Sequence, residues 1–233
     1  MKTMFMFDLL TAKKMLKSQV VLSVVVAVIF GVSTDMPLAI IPFMALMLAY
    51  ATGFTLVAYD ERNDWERFRL TLPLSRANVV QGRYATFVVM TLFGLVLGVA
   101  VTAIVYGLSL ALPQTELFAG LFEGMDWQIV LGMVAASIAF SLALWLVALP
   151  LVARFGMTKA VRYLPLAFII LLPIGTVLVQ KAGPPPAFVL DLAAWASTPT
   201  GTVALVAAVL AVMAVLTVLS CMLSVKLYER REF

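Results

Sequence analysis

Apolar residues run through this chain in stretches too long for strands and too uniform for helices that bury only one face. Six of them, at 18–34, 37–59, 84–112, 127–153, 164–180 and 201–225, are bounded by charges, prolines or glycines. An α-helix needs about 20 mostly apolar residues to cross the hydrocarbon layer, where only a helix or a closed barrel satisfies its own backbone. The pattern predicts an all-α, polytopic protein with six transmembrane helices, residues 1–233 forming a single transmembrane domain. Around the spans it leaves a leading segment 1–17, a long loop 60–83 and a tail 226–233.

The polar segments sort by charge. The leader (Lys2, Lys13, Lys14, Lys17), the loop 60–83 (Arg62, Arg67, Arg69, Arg76, Arg83), the segment 154–163 (Arg154, Lys159, Arg162) and the tail (Lys226, Arg230, Arg231) hold all but one of the 16 Lys and Arg residues. The alternate segments hold only Lys181, with Asp35, Glu116, Glu123, Asp126 and Asp191. Basic residues near span ends stay inside, so both termini are expected in the cytoplasm of a multi-pass protein of the plasma or inner membrane.

The leader has a pattern of its own. At about 100° per residue its lysines occupy roughly a third of a helix circumference, while Met4, Phe5, Phe7, Leu9, Leu10, Met15 and Leu16 cover much of the rest. This predicts an amphipathic helix on the inner membrane surface, against the plainer reading of a basic terminus that only sets orientation. A cleaved signal peptide fits less well, because the polar lead is long and the second span follows almost at once. Near the other end, Pro184, Pro185 and Pro186 stop the fifth span. The apolar segment 187–196 is too short to cross, so it is either an interfacial or re-entrant helix anchored by Trp195 or an outward extension of the last span.

Composition narrows the function. With 64% hydrophobic and 12% charged residues there is no room for a sizeable soluble domain. The single cysteine forms no internal disulfide, and the absence of histidine removes the usual general base and the commonest metal ligand. Neither a phosphate loop nor a Gly-x-Gly-x-x-Gly run is present, so no catalytic, cofactor-binding or metal-ligating residue is assigned and ATP hydrolysis is not expected of this chain. Nucleic acid is not an expected partner, since the basic residues sort by membrane side. The span interiors lack Asp, Glu, Lys and Arg, which ion-coupled carriers use at depth. Any uphill transport must then be driven from outside the membrane. An intramembrane enzyme would have to work through loop carboxylates such as Asp60 and Glu61 at the membrane edge.

The loop 60–83 is the richest segment. On a helix Trp65, Phe68 and Leu72 form one stripe, with Arg62, Glu66, Arg67 and Arg69 elsewhere around the axis, and Pro73 ends it. Acidic residues add little to orientation, so the mixture of Asp60, Glu61, Asp64 and Glu66 with five arginines suggests a docking element for a protein. The alternative is a helix on the membrane surface.

Here the sequence resembles the permease subunits of ATP-binding-cassette transporters, in the type-2 export class of small six-helix bacterial permeases. The resembling residues are Asp60-Glu61, Trp65-Glu66-Arg67-Phe68, Leu72-Pro73-Leu74-Ser75-Arg76 and Gly82-Arg83-Tyr84, together with the six-span layout, the leading helix and the basic tail. The resemblance implies that 60–76 is a coupling helix seated on a separate ATPase subunit, which carries the ATP and Mg. Trp65, Phe68 and Leu72 would be its anchors, and Asp60, Glu61, Arg67, Arg69 and Arg76 its charged contacts. It further implies a second permease chain, alike or different, a surface helix at 5–17 and a short outer helix at 187–196. A pathway lined by Thr, Ser, Met and aromatic residues would suit an amphiphilic or apolar cargo such as a peptide, lipid or drug. The competing reading is a nucleotide-independent channel, scaffold or assembly factor.

Overall fold

Helices are the economical answer to such apolar runs, and a computed structural model contains no other regular structure among the residues it describes, which are 2–62, 75–112, 115, 118, 120–156, 177 and 186–230. In chain order they are α1 (Lys2–Ser33), a short 3-10 turn (Pro37–Ala39), α2 (Ile40–Arg62), α3 (Arg76–Ala111), α4 (Trp127–Phe155), α5 (Ala187–Ala196) and α6 (Pro199–Glu229). Five are long and apolar enough to cross a membrane: Lys2–Ser33, Pro37–Asp60, Arg76–Ala111, Trp127–Phe155 and Pro199–Glu229. The span expected at 164–180 and the stripe Trp65, Phe68 and Leu72 lie outside the described residues.

The helix ends follow from local chemistry. After Ser33 the chain closes in a Schellman turn, Met36 N donating to Gly31 O (3.0 Å) and Asp35 N to Val32 O (3.4 Å), with Asp35 in the left-handed region at φ 52°. Ser75 opens α3 by accepting from Asn78 N at 3.2 Å. Thr198 caps α6 in the same way through Gly201 N, with Pro199 in the first turn where no N–H is required. Pro42 falls in the first turn of α2 and is harmless for the same reason, whereas Pro150 lies inside α4.

Burial is inverted relative to a soluble protein. On α6, Val203, Val212, Val215, Val218 and Leu219 are exposed while Thr202 and Ser224 are buried, as expected when the surroundings are lipid. The central helix is α2, which packs on α1, α3 and α4; α3 also meets α1, α4 and α6, and α4 runs beside α6. Helices α2 and α3 approach closely at Gly94 and Gly98. A Cβ on Gly94 would stand 2.6 Å from Met44 O, and one on Gly98 3.0 Å from Ile41 Cα, so only hydrogen fits.

Following the chain, α1, α3 and the end of α6 share one end of the bundle with the end of α2, and the described basic residues Arg76, Arg83 and Lys226 gather there. At the opposite end Gln128 Nε2 donates to Ser197 O (3.2 Å), tying the start of α4 to the turn before α6. Thus α4 and α6 run in the same direction.

Two expectations change. The leading helix expected at 1–17 and the first span are not separate elements but one unbroken helix of 32 residues. At 1.5 Å per residue it is about 48 Å long, well beyond the ~30 Å hydrocarbon layer. The loop expected at 60–83 is helical at both ends, because α2 continues to Arg62 and α3 already begins at Arg76.

Replacing Gly94 by Val is expected to lower the thermal stability of the detergent-solubilised chain by about 1–3 kcal/mol through overpacking. Gly107, beside which a Cβ would find nothing within 4 Å, is the control: Gly107→Ala should leave the stability unchanged or raise it slightly.

Candidate functional site at the basic end

The site grows from three consecutive residues of α3, each turned toward a different neighbour because successive side chains on a helix are about 100° apart. Gly82 faces α1, where a Cβ would lie 2.8 Å from Met4 Cβ and 3.2 Å from Phe5 N, and so lets the two backbones touch. Arg83 enters the interior between α1 and α2. Tyr84 reaches α6, its hydroxyl 2.7 Å from Ser220 Oγ and 2.8 Å from Ser224 Oγ. Ser220 Oγ also donates to Leu146 O on α4 (2.9 Å). With that proton committed, Tyr84 must donate to Ser220 and accept from Ser224.

Arg83 is 7% exposed and stands between two buried carboxylates. Its Nη2 donates to Asp60 Oδ2 in a short ion pair with the end of α2. Its Nε lies 3.5 Å from Asp8 Oδ2 on α1, and Thr86 Oγ1, whose one proton is shared with Gly82 O at 3.0 Å, stands 3.4 Å from the same carboxylate oxygen. One guanidinium thus joins three helices. Charge can remain in so apolar a setting only when opposite charge and hydrogen bonds surround it. The remaining nitrogen, Nη1, is sealed from solvent and makes no hydrogen bond among the described residues. Arg83 and Asp60 line a cavity of about 50 Å³ together with Val57, Leu149, Ser224 and Tyr228, large enough for a few water molecules.

Arg76, at the start of α3, donates from Nη1 to Glu229 O (2.7 Å) and Tyr228 O (3.4 Å). A guanidinium on the last carbonyls of α6 answers both their open hydrogen-bonding capacity and the negative end of the helix dipole. The two helix ends that bracket residues 63–74 are thereby held to α1 through Asp8 and to α6 through its C-terminus.

Two of the docking residues expected from the sequence are therefore engaged within the chain. Asp60 pairs inward with Arg83, and Arg76 donates to the last carbonyls of α6 while remaining partly exposed. Glu61 ends α2, and its side chain, like all of Trp65, Arg67, Phe68, Arg69 and Leu72, lies outside the described residues. The carboxylates are also not confined to loops. Asp60 and Arg83 lie just beyond the apolar runs and Asp8 lies in the leader, and helices longer than those runs draw all three into the packed interior. Sequence reasoning missed Asp8, Ser220 and Ser224. The signals were a single acid in a lysine-rich leader and two serines four residues apart on an otherwise apolar helix.

The described residues form a helical bundle with five helices long and apolar enough to cross a membrane and charged ties at one end. The chain is a member of the ABC-2 family of transporter proteins, whose family model matches residues 3–229, and so is a permease of the ABC-2 type. Comparison with curated proteins and with solved structures returns no significant match.

Removing the guanidinium while both carboxylates remain should be severe. Arg83→Ala is expected to cost about 3–5 kcal/mol, read as lost folded yield and a lowered melting temperature. Tyr84→Phe, which removes one hydroxyl tie, should cost about 1 kcal/mol in the same assay.

Proposed function

We propose that the chain is the permease subunit of an ATP-driven exporter, working with a second permease chain on two copies of a separate ATPase subunit. One observation carries this reading: the family match spans residues 3–229 of a chain that has no phosphate loop. Binding and hydrolysis of Mg-ATP then fall to the partner, and this chain holds no cofactor of its own.

Segment 60–76 is the docking element. Trp65, Phe68 and Leu72 are its apolar anchors, with Glu61, Arg67 and Arg69 as charged contacts, while Asp60 and Arg76 hold its base. A lever transmits force only if its base cannot yield separately from the helices it moves, and the ties from Arg83 and Arg76 meet that need. Closure of two ATPase subunits on ATP would carry the two docking segments together and switch the paired bundles between inward-facing and outward-facing states. The basic end faces the cytoplasm on the charge rule.

An amphiphilic or apolar cargo is supported by the chemistry of the bundle interior. Among the described residues an aromatic row runs from buried Phe87, stacked on Trp145 at 3.9 Å, to Phe54 and the exposed Tyr50, whose rings lie 4.2 Å apart. No formal charge interrupts that row.

The decisive experiment is co-purification from the native host. A tagged chain should bring down an ATPase carrying a phosphate loop, and Trp65→Ala combined with Phe68→Ala should weaken capture by about 2 kcal/mol or more, roughly thirtyfold in Kd. Recovery of no ATPase, with the double variant indistinguishable from the parent, would leave the nucleotide-independent reading in its place.

A further inference from the structure

We infer that Asp8 makes α1 a moving part of the transmission, clamping the first helix to the base of the docking segment so that the two travel as one body. This rests on the ATP-driven reading above and adds to it a specific route by which motion reaches the first span.

The route is continuous. Asp60 is two residues before the last residue of α2, and Arg83 lies two turns inside α3, so their ion pair closes the base of the hairpin on itself. Asp8 adds α1 to that pair through Arg83 Nε, and Thr86 Oγ1 stands 3.4 Å from the same carboxylate oxygen. Met4 against Gly82 and buried Ala12 make the surrounding contact tight, so α1 has little room to slide over α3. Because α1 is unbroken from Lys2 to Ser33, a displacement applied at Asp8 is delivered along the whole first span.

Charge balance makes Asp8 the informative position. Of the two carboxylates at Arg83, Asp60 supplies the closer contact. Removing Asp8 leaves Arg83 paired with Asp60 at the hairpin base and takes away the tie from Arg83 to α1. A carboxylate kept merely to balance buried charge would behave oppositely: its loss would unsettle Arg83 and Asp60 first.

The experiment uses full-length chain in lipid nanodiscs, with Cys221→Ser and paired spin labels at the exposed positions 10 and 89, or 10 and 147. In the chain alone, Asp8→Ala is expected to broaden the 10–89 distance distribution about twofold as α1 comes loose from α3. In the complex with the ATPase, nucleotide should shift the 10–147 distance in the parent, and Asp8→Ala should abolish that shift while capture of the ATPase is unchanged. Asp8→Asn, nearly the same shape, guards against a folding defect and should give an intermediate shift. An unchanged 10–89 distribution in Asp8→Ala overturns the clamp without reference to any partner, as does a parent-like nucleotide shift in the complex. Failure of the parent to capture an ATPase would refute the function above instead, and the 10–89 measurement on the isolated chain would still decide the clamp.

Discussion

A guanidinium sealed inside an apolar bundle is the constraint from which much of the basic end follows. Desolvation of Arg83 costs several kcal/mol unless carboxylates surround it, so helices carrying Asp8 and Asp60 must converge on α3 at that level. Convergence in turn fixes the neighbours: Gly82 must lack a side chain for α1 to come close enough, and Tyr84, one residue on, is aimed at α6. The triplet Gly82-Arg83-Tyr84 thus sets three interfaces at once. Away from that end the packing is of the ordinary membrane kind, with small residues such as Gly94 and Gly98 letting backbones meet.

Much of the architecture was legible because the bilayer imposes a length on apolar runs, and the runs read at 37–59, 84–112, 127–153 and 201–225 each fall on a helix long enough to cross. Helix ends were less legible. The apolar run 84–112 marks the part of α3 that needs lipid, but the helix itself begins at Arg76, where Ser75 can cap it. Hydropathy reports where a residue would be comfortable, not where the backbone hydrogen-bond ladder stops. For the same reason α1 was read as two elements although nothing in its sequence breaks the ladder between 17 and 18.

The site was harder still. Asp60, Arg76 and Arg83 were visible as charges, yet their partners are 23 and 75 residues away in sequence or, for Arg76, are backbone carbonyls 152 and 153 residues away, which no spacing rule reveals. A charge beside an apolar run reads as a solvated flank, and only the meeting of three helices turns it into an interior ion pair. Conversely, the stripe Trp65, Phe68 and Leu72 was legible because it is periodic within one short segment.

The ties around α3 are unequal. Toward α1 and α2 they are ionic, and the loss of one partner costs several kcal/mol; toward the interior of α6 they are the hydroxyls of Tyr84, Ser220 and Ser224, and such interhelical bonds average about 0.6 kcal/mol in lipid. The bundle therefore has a stiff flank and a compliant one. Under load, slip should concentrate at the hydroxyl seam before it reaches the ionic one.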